Sequence, residues 1–75
     1  MFTYTVFSYE TAEFEICMQA VKGGRARAMY HAQRRARYWE QDITCFRILG
    51  EGLSYETAIA LLRTAQPWEG VKVLP

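Results

Sequence analysis

Apolar and polar positions change their period several times along this chain, and each change marks an element. Phe2 to Tyr9 alternates in type and is rich in Phe, Tyr, Thr and Val, which predicts a strand. Glu13 to Val21 alternates more cleanly, with Phe14, Ile16, Met18 and Ala20 on one side and Glu13, Glu15, Cys17 and Gln19 on the other. Strand side chains point alternately to opposite faces, so this second strand is expected to bury one face and wet the other. The short link Tyr9-Glu10-Thr11-Ala12 suits a hairpin, although it lacks the Asn-Gly or Asp-Gly signal of the tightest turns.

Gly23-Gly24 ends the alternation, and residues 25–40 carry helix-forming Ala, Arg, Gln, Met and Glu. At helical spacing Ala28, Met29, Ala32, Ala36 and Trp39 share one stripe, mostly small enough to let the helix lie close against a sheet. Arg27, Tyr30, His31, Arg34 and Tyr38 lie opposite, flanked by Arg35 and Arg37. Ile43 to Leu49 predicts a third strand, closed by a turn at Gly50-Glu51-Gly52. Ser54 is the expected N-cap of a shorter helix, with Glu56 in its first turn. Its expected buried stripe is Tyr55, Ala58, Ile59, Leu62 and Ala65, and Pro67 stops it. The tail Val71-Lys72-Val73-Leu74 is compatible with a closing edge strand. The predicted class is α+β: a mostly antiparallel sheet in the order β-β-α-β-α, with or without a final β, and two helices packed on one face.

Composition narrows this picture. Seventy-five residues with no repeat, linker or low-complexity segment point to one domain over 1–75. The 51% apolar and 15% aromatic content argues against disorder and for a packed core of modest size. No apolar stretch reaches the roughly 20 residues of a membrane span, and the first residues do not read as a signal peptide. Two cysteines are too few for a disulfide-stapled secreted scaffold, so the expectation is a cytoplasmic protein in a reduced environment, with no membrane contact.

Charge changes the picture most. The net charge is +1, yet Lys22 to Arg37 (KGGRARAMYHAQRRAR) holds six of the nine basic residues and no acid. The balancing acids lie outside that run, so the molecule is expected to be electrically two-sided. The helix start also breaks a local preference. Gly24 stands where Ser, Thr, Asp or Asn would cap, and Arg25 and Arg27 occupy the first turn, where the helix dipole favours acids. Diglycine, free backbone N–H groups and two guanidinium groups suggest an anion-docking point, for a phosphate or a partner's carboxylate.

Other chemistry finds little footing. His31 is the only histidine and no nucleophile motif accompanies it, so an enzyme is not expected. Cys17 and Cys45 are far apart in sequence, without metal-ligand spacing. No metal or cofactor is implied. The two thiols could pair only if their strands are neighbours. Glu13 and Glu15 share a strand face, which reads as solvated. A GxxxxGK[ST] phosphate loop is absent.

The short length, the hairpin FTYTVFSYETAEFEICMQAV, the helix GGRARAMYHAQRRARYW and the strand ITCFRIL together resemble small phage- and mobile-element-encoded proteins of the anti-CRISPR group. That resemblance covers residues 2–49 and implies a non-enzymatic inhibitor. Such a protein docks on a CRISPR surveillance complex or its nuclease, a Cas protein, and blocks DNA binding or recruitment. Many members of the group are acidic DNA mimics; this basic helix departs from them and favours an acidic protein surface. The expected contact residues are Arg25, Arg27, Tyr30, His31, Arg34, Arg35, Arg37 and Tyr38. A protein partner is expected first, and DNA or RNA bound by the same helix is the alternative. Arg and Tyr anchor protein interfaces and also stack on bases, so composition alone does not choose between them. The oligomeric state is left open.

Overall fold

A computed structural model of the chain describes residues 2–13, 17–65 and 73–75, the side chain of Cys17 excepted. Its elements are β1 (Tyr4–Thr11), β2 (Cys17–Lys22), α1 (Arg25–Tyr38), β3 (Ile43–Leu53), α2 (Tyr55–Ala65) and β4 (Val73–Leu74). The α+β class and the element order, closing strand included, are as the periodicity predicts. The first part of the predicted second strand, the proline stop at 67 and the start of the closing strand lie outside the described residues.

The sheet has the order β3-β1-β2-β4. β1 is antiparallel to both of its neighbours, while β4 lies parallel to β2. Thus β2, β3 and β4 share one direction and β1 opposes them. α1 carries the chain from β2 across β1 to β3; α2 carries it back from β3 to β4 on the far side of β2.

The helices do not share a face, which corrects the sequence expectation. Phe7, Tyr9 and Val21 form a core with Ala28 and Ala32 of α1, whereas Val6 and Ala20 form another with Ala58 and Leu62 of α2. Adjacent positions of β1 and of β2 therefore feed opposite cores, and the molecule is a three-layer sandwich. The reason is topological. Two crossovers between parallel strands, of the same hand but travelling in opposite directions, must land on opposite faces. The composition agrees: Thr5 through Tyr9 are all buried, as a strand covered on both faces requires. Gln19, expected to be wet, is half-buried, because α1 covers its side of the sheet.

β3 departs further from simple alternation. It spans eleven residues against the eight of β1, and three register shifts absorb the difference. Gly50-Glu51-Gly52, expected as a turn, continues the strand instead, which runs on to Leu53. The shifts bring Ile43, Phe46 and Ile48 to the same core despite their mixed parity. They also irregularise an otherwise open edge, a feature that discourages edge-to-edge pairing. β1 separates β2 from β3, with Tyr9 opposite Cys17 and Glu10 opposite Cys45. Two strand spacings of roughly 4.8 Å exceed the Cα separation a disulfide spans, so the two cysteines are not placed to pair.

The helix ends are specific. Ser54 Oγ accepts the Thr57 backbone N–H at 3.2 Å, the expected N-cap of α2. Within α2, Ala58 and Leu62 are buried, but Tyr55 is 50% exposed and Ala65 lies at the surface. α1 ends earlier than its composition suggests. Trp39 is its C-cap, Glu40 adopts φ 56°, and the Glu40 and Gln41 N–H groups donate to Arg37 and Ala36 at 2.9 and 2.8 Å. This is a Schellman closure with glutamate in the left-handed position usually held by glycine.

Candidate functional site

All eight residues expected to meet a partner lie on α1, but the structure divides them. The start of α1 has the irregularity read from the sequence: Gly24 offers no side-chain cap, and the first turn carries no acid. Tertiary structure supplies what is missing. Arg25 Nε donates to Glu51 Oε2 of β3 at 2.9 Å, and a second, longer bond of 3.4 Å joins Nη2 to Oε1. The hydrogen bond from Arg25 is the leading reason why the Glu51 carboxyl is held below its ordinary range, with the guanidinium charge adding to it. The same pairing holds Arg25 further above its own ordinary value. Arg27 Nε donates to the main-chain oxygen of Pro75 at 2.8 Å, with His31 Nε2 3.4 Å from the same atom. Arg25 thus meets a carboxylate from within the chain, and Arg27 a main-chain oxygen.

The rest of the face is different. Among the described residues, Arg34, Arg35 and Arg37 meet no acid and no hydrogen-bond acceptor. Around them Tyr30 is 55% exposed and Tyr38 77% exposed, large aromatic surfaces for a chain this small. Tyr30 stands edge-on to His31 and Tyr38 edge-on to Trp39, with centroids 5.4 and 5.1 Å apart, so each ring is braced by its neighbour. Arg35 and Arg37 have a local role as well, because cations in the last helical turn suit the C-terminal end of the dipole. Arg34 and the two tyrosines have no such structural account.

These side chains wall an open groove of about 870 Å³ between α1 and the β2–β4 side of the sheet. Tyr30, His31, Arg34, Arg35, Arg37 and Tyr38 line it from the helix, with Gln19 of β2 and Leu74 of β4 also contributing. The alanine stripe explains why the groove exists. Ala28, Ala32 and Ala36 are buried, so the helix axis sits low on the sheet and its long side chains project beside it. Beyond Arg37 the sign changes, with Glu40 and Asp42 lining a neighbouring hollow of about 490 Å³.

Three features escape the sequence reading. Trp39, assigned to the buried stripe, is 54% exposed, because it lies past the last helical residue and the 100° periodicity no longer directs it. Gln19 and Leu74 enter the groove through sheet order, which no local signal announces. Guanidinium, phenol and indole groups can grip carboxylates or phosphates and stack on planar groups. Among the described residues no group of three His, Cys, Asp or Glu gathers to hold a metal, and no helix is long and apolar enough to cross a membrane. No known protein family, curated protein or solved structure matches this chain.

Proposed function

We propose that this chain is a non-enzymatic docking protein that binds an acidic protein surface in stoichiometric fashion through the α1 groove. One observation carries the reading: three guanidinium groups that meet no partner among the described residues stand beside two exposed tyrosines and an exposed tryptophan. Arg, Tyr and Trp are the residues on which interface energy most often concentrates. The net charge of +1 favours a protein partner over nucleic acid, which is generally met by a pronounced basic excess. Arg34, Tyr30 and Tyr38 are the anchors in this reading. Arg25 and Arg27 also support the fold, since each already donates from Nε to an acceptor within the chain. For a phage-type inhibitor of the kind the sequence resembles, the acidic surface would belong to a CRISPR surveillance complex or its nuclease. Docking there would block DNA binding or recruitment.

The test is a paired capture from nuclease-treated bacterial lysate with the wild-type chain and the Arg34→Glu, Tyr38→Ala variant. A protein partner held by the wild type and lost by the variant is the expected result. Retention of the same partner by the variant would refute this surface. Loss of all bound material on nuclease treatment would favour direct DNA or RNA binding, whose affinity falls steeply with salt.

A further inference from the structure

The shape and charge of the α1 groove restrict what can fill it. Tyr30, Arg34 and Tyr38 are all exposed and stand about one helical turn apart along α1, so an arginine sits between two aromatic side chains in a single row. Each step of that row rises about 6 Å, the length of four helical residues. A second helix repeats the same step at its own i, i+4 positions. Alternate residues of an extended strand advance about 6.7 Å and drift out of register over two steps. β4 already pairs β2 at Ala20 and Val21, so the sheet beside the groove is not open to strand addition there. Charge narrows the occupant further. No carboxylate side chain lines the groove among the described residues. Packing α1 on its own copy would set Arg34, Arg35 and Arg37 against their like, which disfavours a second copy. Beyond Arg37 the sign reverses at Glu40 and Asp42, and this reversal gives a docked helix its direction. The positively polarised N-terminal end of such a helix is favoured over Glu40 and Asp42, past the C-terminus of α1.

We propose, on the basis of the function proposed above, that the partner presents an acidic amphipathic helix to this groove, packed antiparallel to α1. One face of that helix carries a carboxylate between two apolar side chains, at i, i+4 and i+8. The carboxylate meets Arg34, and the apolar side chains lie on Tyr38 and Tyr30, with Leu74 adding apolar surface. Arg35 and Arg37 take further acids on the same helix. This is helix-in-groove recognition, with the charge row of α1 setting register and direction.

The experiment titrates the full chain with three alanine-based peptides of about 16 residues, capped at both ends and long enough to populate a helix. The first carries leucine, glutamate and leucine at i, i+4 and i+8. The second has the same composition with the glutamate moved to the opposite face, and the third is the first with proline at its centre. Backbone amide signals are followed by NMR. The first peptide is expected to shift the Tyr30, Arg34 and Tyr38 amides at about 1 mM. The other two should bind about tenfold more weakly, one having lost the charge-assisted contact and the other the helix. Arg34→Gln should weaken the first peptide about tenfold and erase its advantage over the second. A nitroxide on the N-terminus of the first peptide should broaden the Glu40 and Asp42 amides more than that of Tyr30. Equal binding of the three peptides, no binding by the first, or stronger broadening at Tyr30 would overturn the proposal. Shifts of the same amides on concentrating the protein alone would also overturn it, by making a second copy the occupant. The capture described above keeps the two readings distinct. A protein partner lost by the Arg34→Glu, Tyr38→Ala variant, with equal binding of the three peptides, would refute the helix and leave the docking function standing.

Discussion

The two-sided sheet makes a quantitative demand that can be measured. Leu62 is fully buried against Val6, Ala20 and Ala58, and its neighbours are small or held in a sheet. Such surroundings cannot collapse far into a void, so Leu62→Ala should lie well inside the roughly 2–5 kcal/mol range for such truncations, near about 3 kcal/mol. A chain of 75 residues at about 0.05–0.15 kcal/mol per residue has only roughly 4–11 kcal/mol in total. At about 4–8 °C per kcal/mol for a domain of this size, the melting temperature should fall by roughly 12–24 °C. Val21→Ala removes two methylene equivalents from the core beneath α1 and should cost about 1.6 kcal/mol. Because the two sites lie on opposite faces, the double variant should show the sum of the single effects to within about 0.5 kcal/mol. Urea titrations of the wild type, both single variants and the double variant measure this. A loss below about 1 kcal/mol for Leu62→Ala would refute close packing of α2 on Val6 and Ala20. Coupling well above about 0.5 kcal/mol would refute the separation of the two cores.

Three further outcomes follow from local geometry. Glu40→Gly should stabilise the protein by up to about 1 kcal/mol in thermal melts, since glycine occupies the left-handed position at φ 56° without strain. Gly23→Ala should destabilise by about 1–3 kcal/mol through its φ of 122°, whereas Gly24→Ala, with open space around the added Cβ, should cost at most about 1 kcal/mol, for the poorer N-cap that alanine makes. In an NMR pH titration Glu51 should ionise below the ordinary glutamate range and return to it in Arg25→Gln. Because its folded-state value is depressed, the stabilisation from this exposed pair is present at neutral pH and is lost as pH falls through that lowered value.

Much of this molecule is local, and what is local was legible in the chain. Alternation in Phe2–Tyr9, the alanine stripe of Ala28, Ala32 and Ala36, the Ser54 cap and the charge run each depend on near neighbours. Periodicity and capping report directly on those interactions, so element type, element order and the outward basic face of α1 follow from the sequence alone. Trp39 marks the limit of that method, since one residue beyond the helix the angle it assumes no longer holds.

Tertiary structure decided the rest. An alternating strand says which residues share a face, but not how many faces a neighbouring layer will cover. That came from strand order, which places β1 between β2 and β3 and sends the two helices to opposite sides. Strand order likewise separated Cys17 from Cys45 and brought Gln19 and Leu74 to the groove. The start of α1 shows the difference most clearly. In sequence, Arg25 and Arg27 are cations placed against a helix dipole with nothing nearby to answer them. In the fold, Glu51 arrives from 26 residues away and Pro75 from 48, and both arginines are engaged. Charge balance acts through space, so a breach of local preference became a tertiary contact, and the arginines that meet no partner among the described residues are those further along the helix.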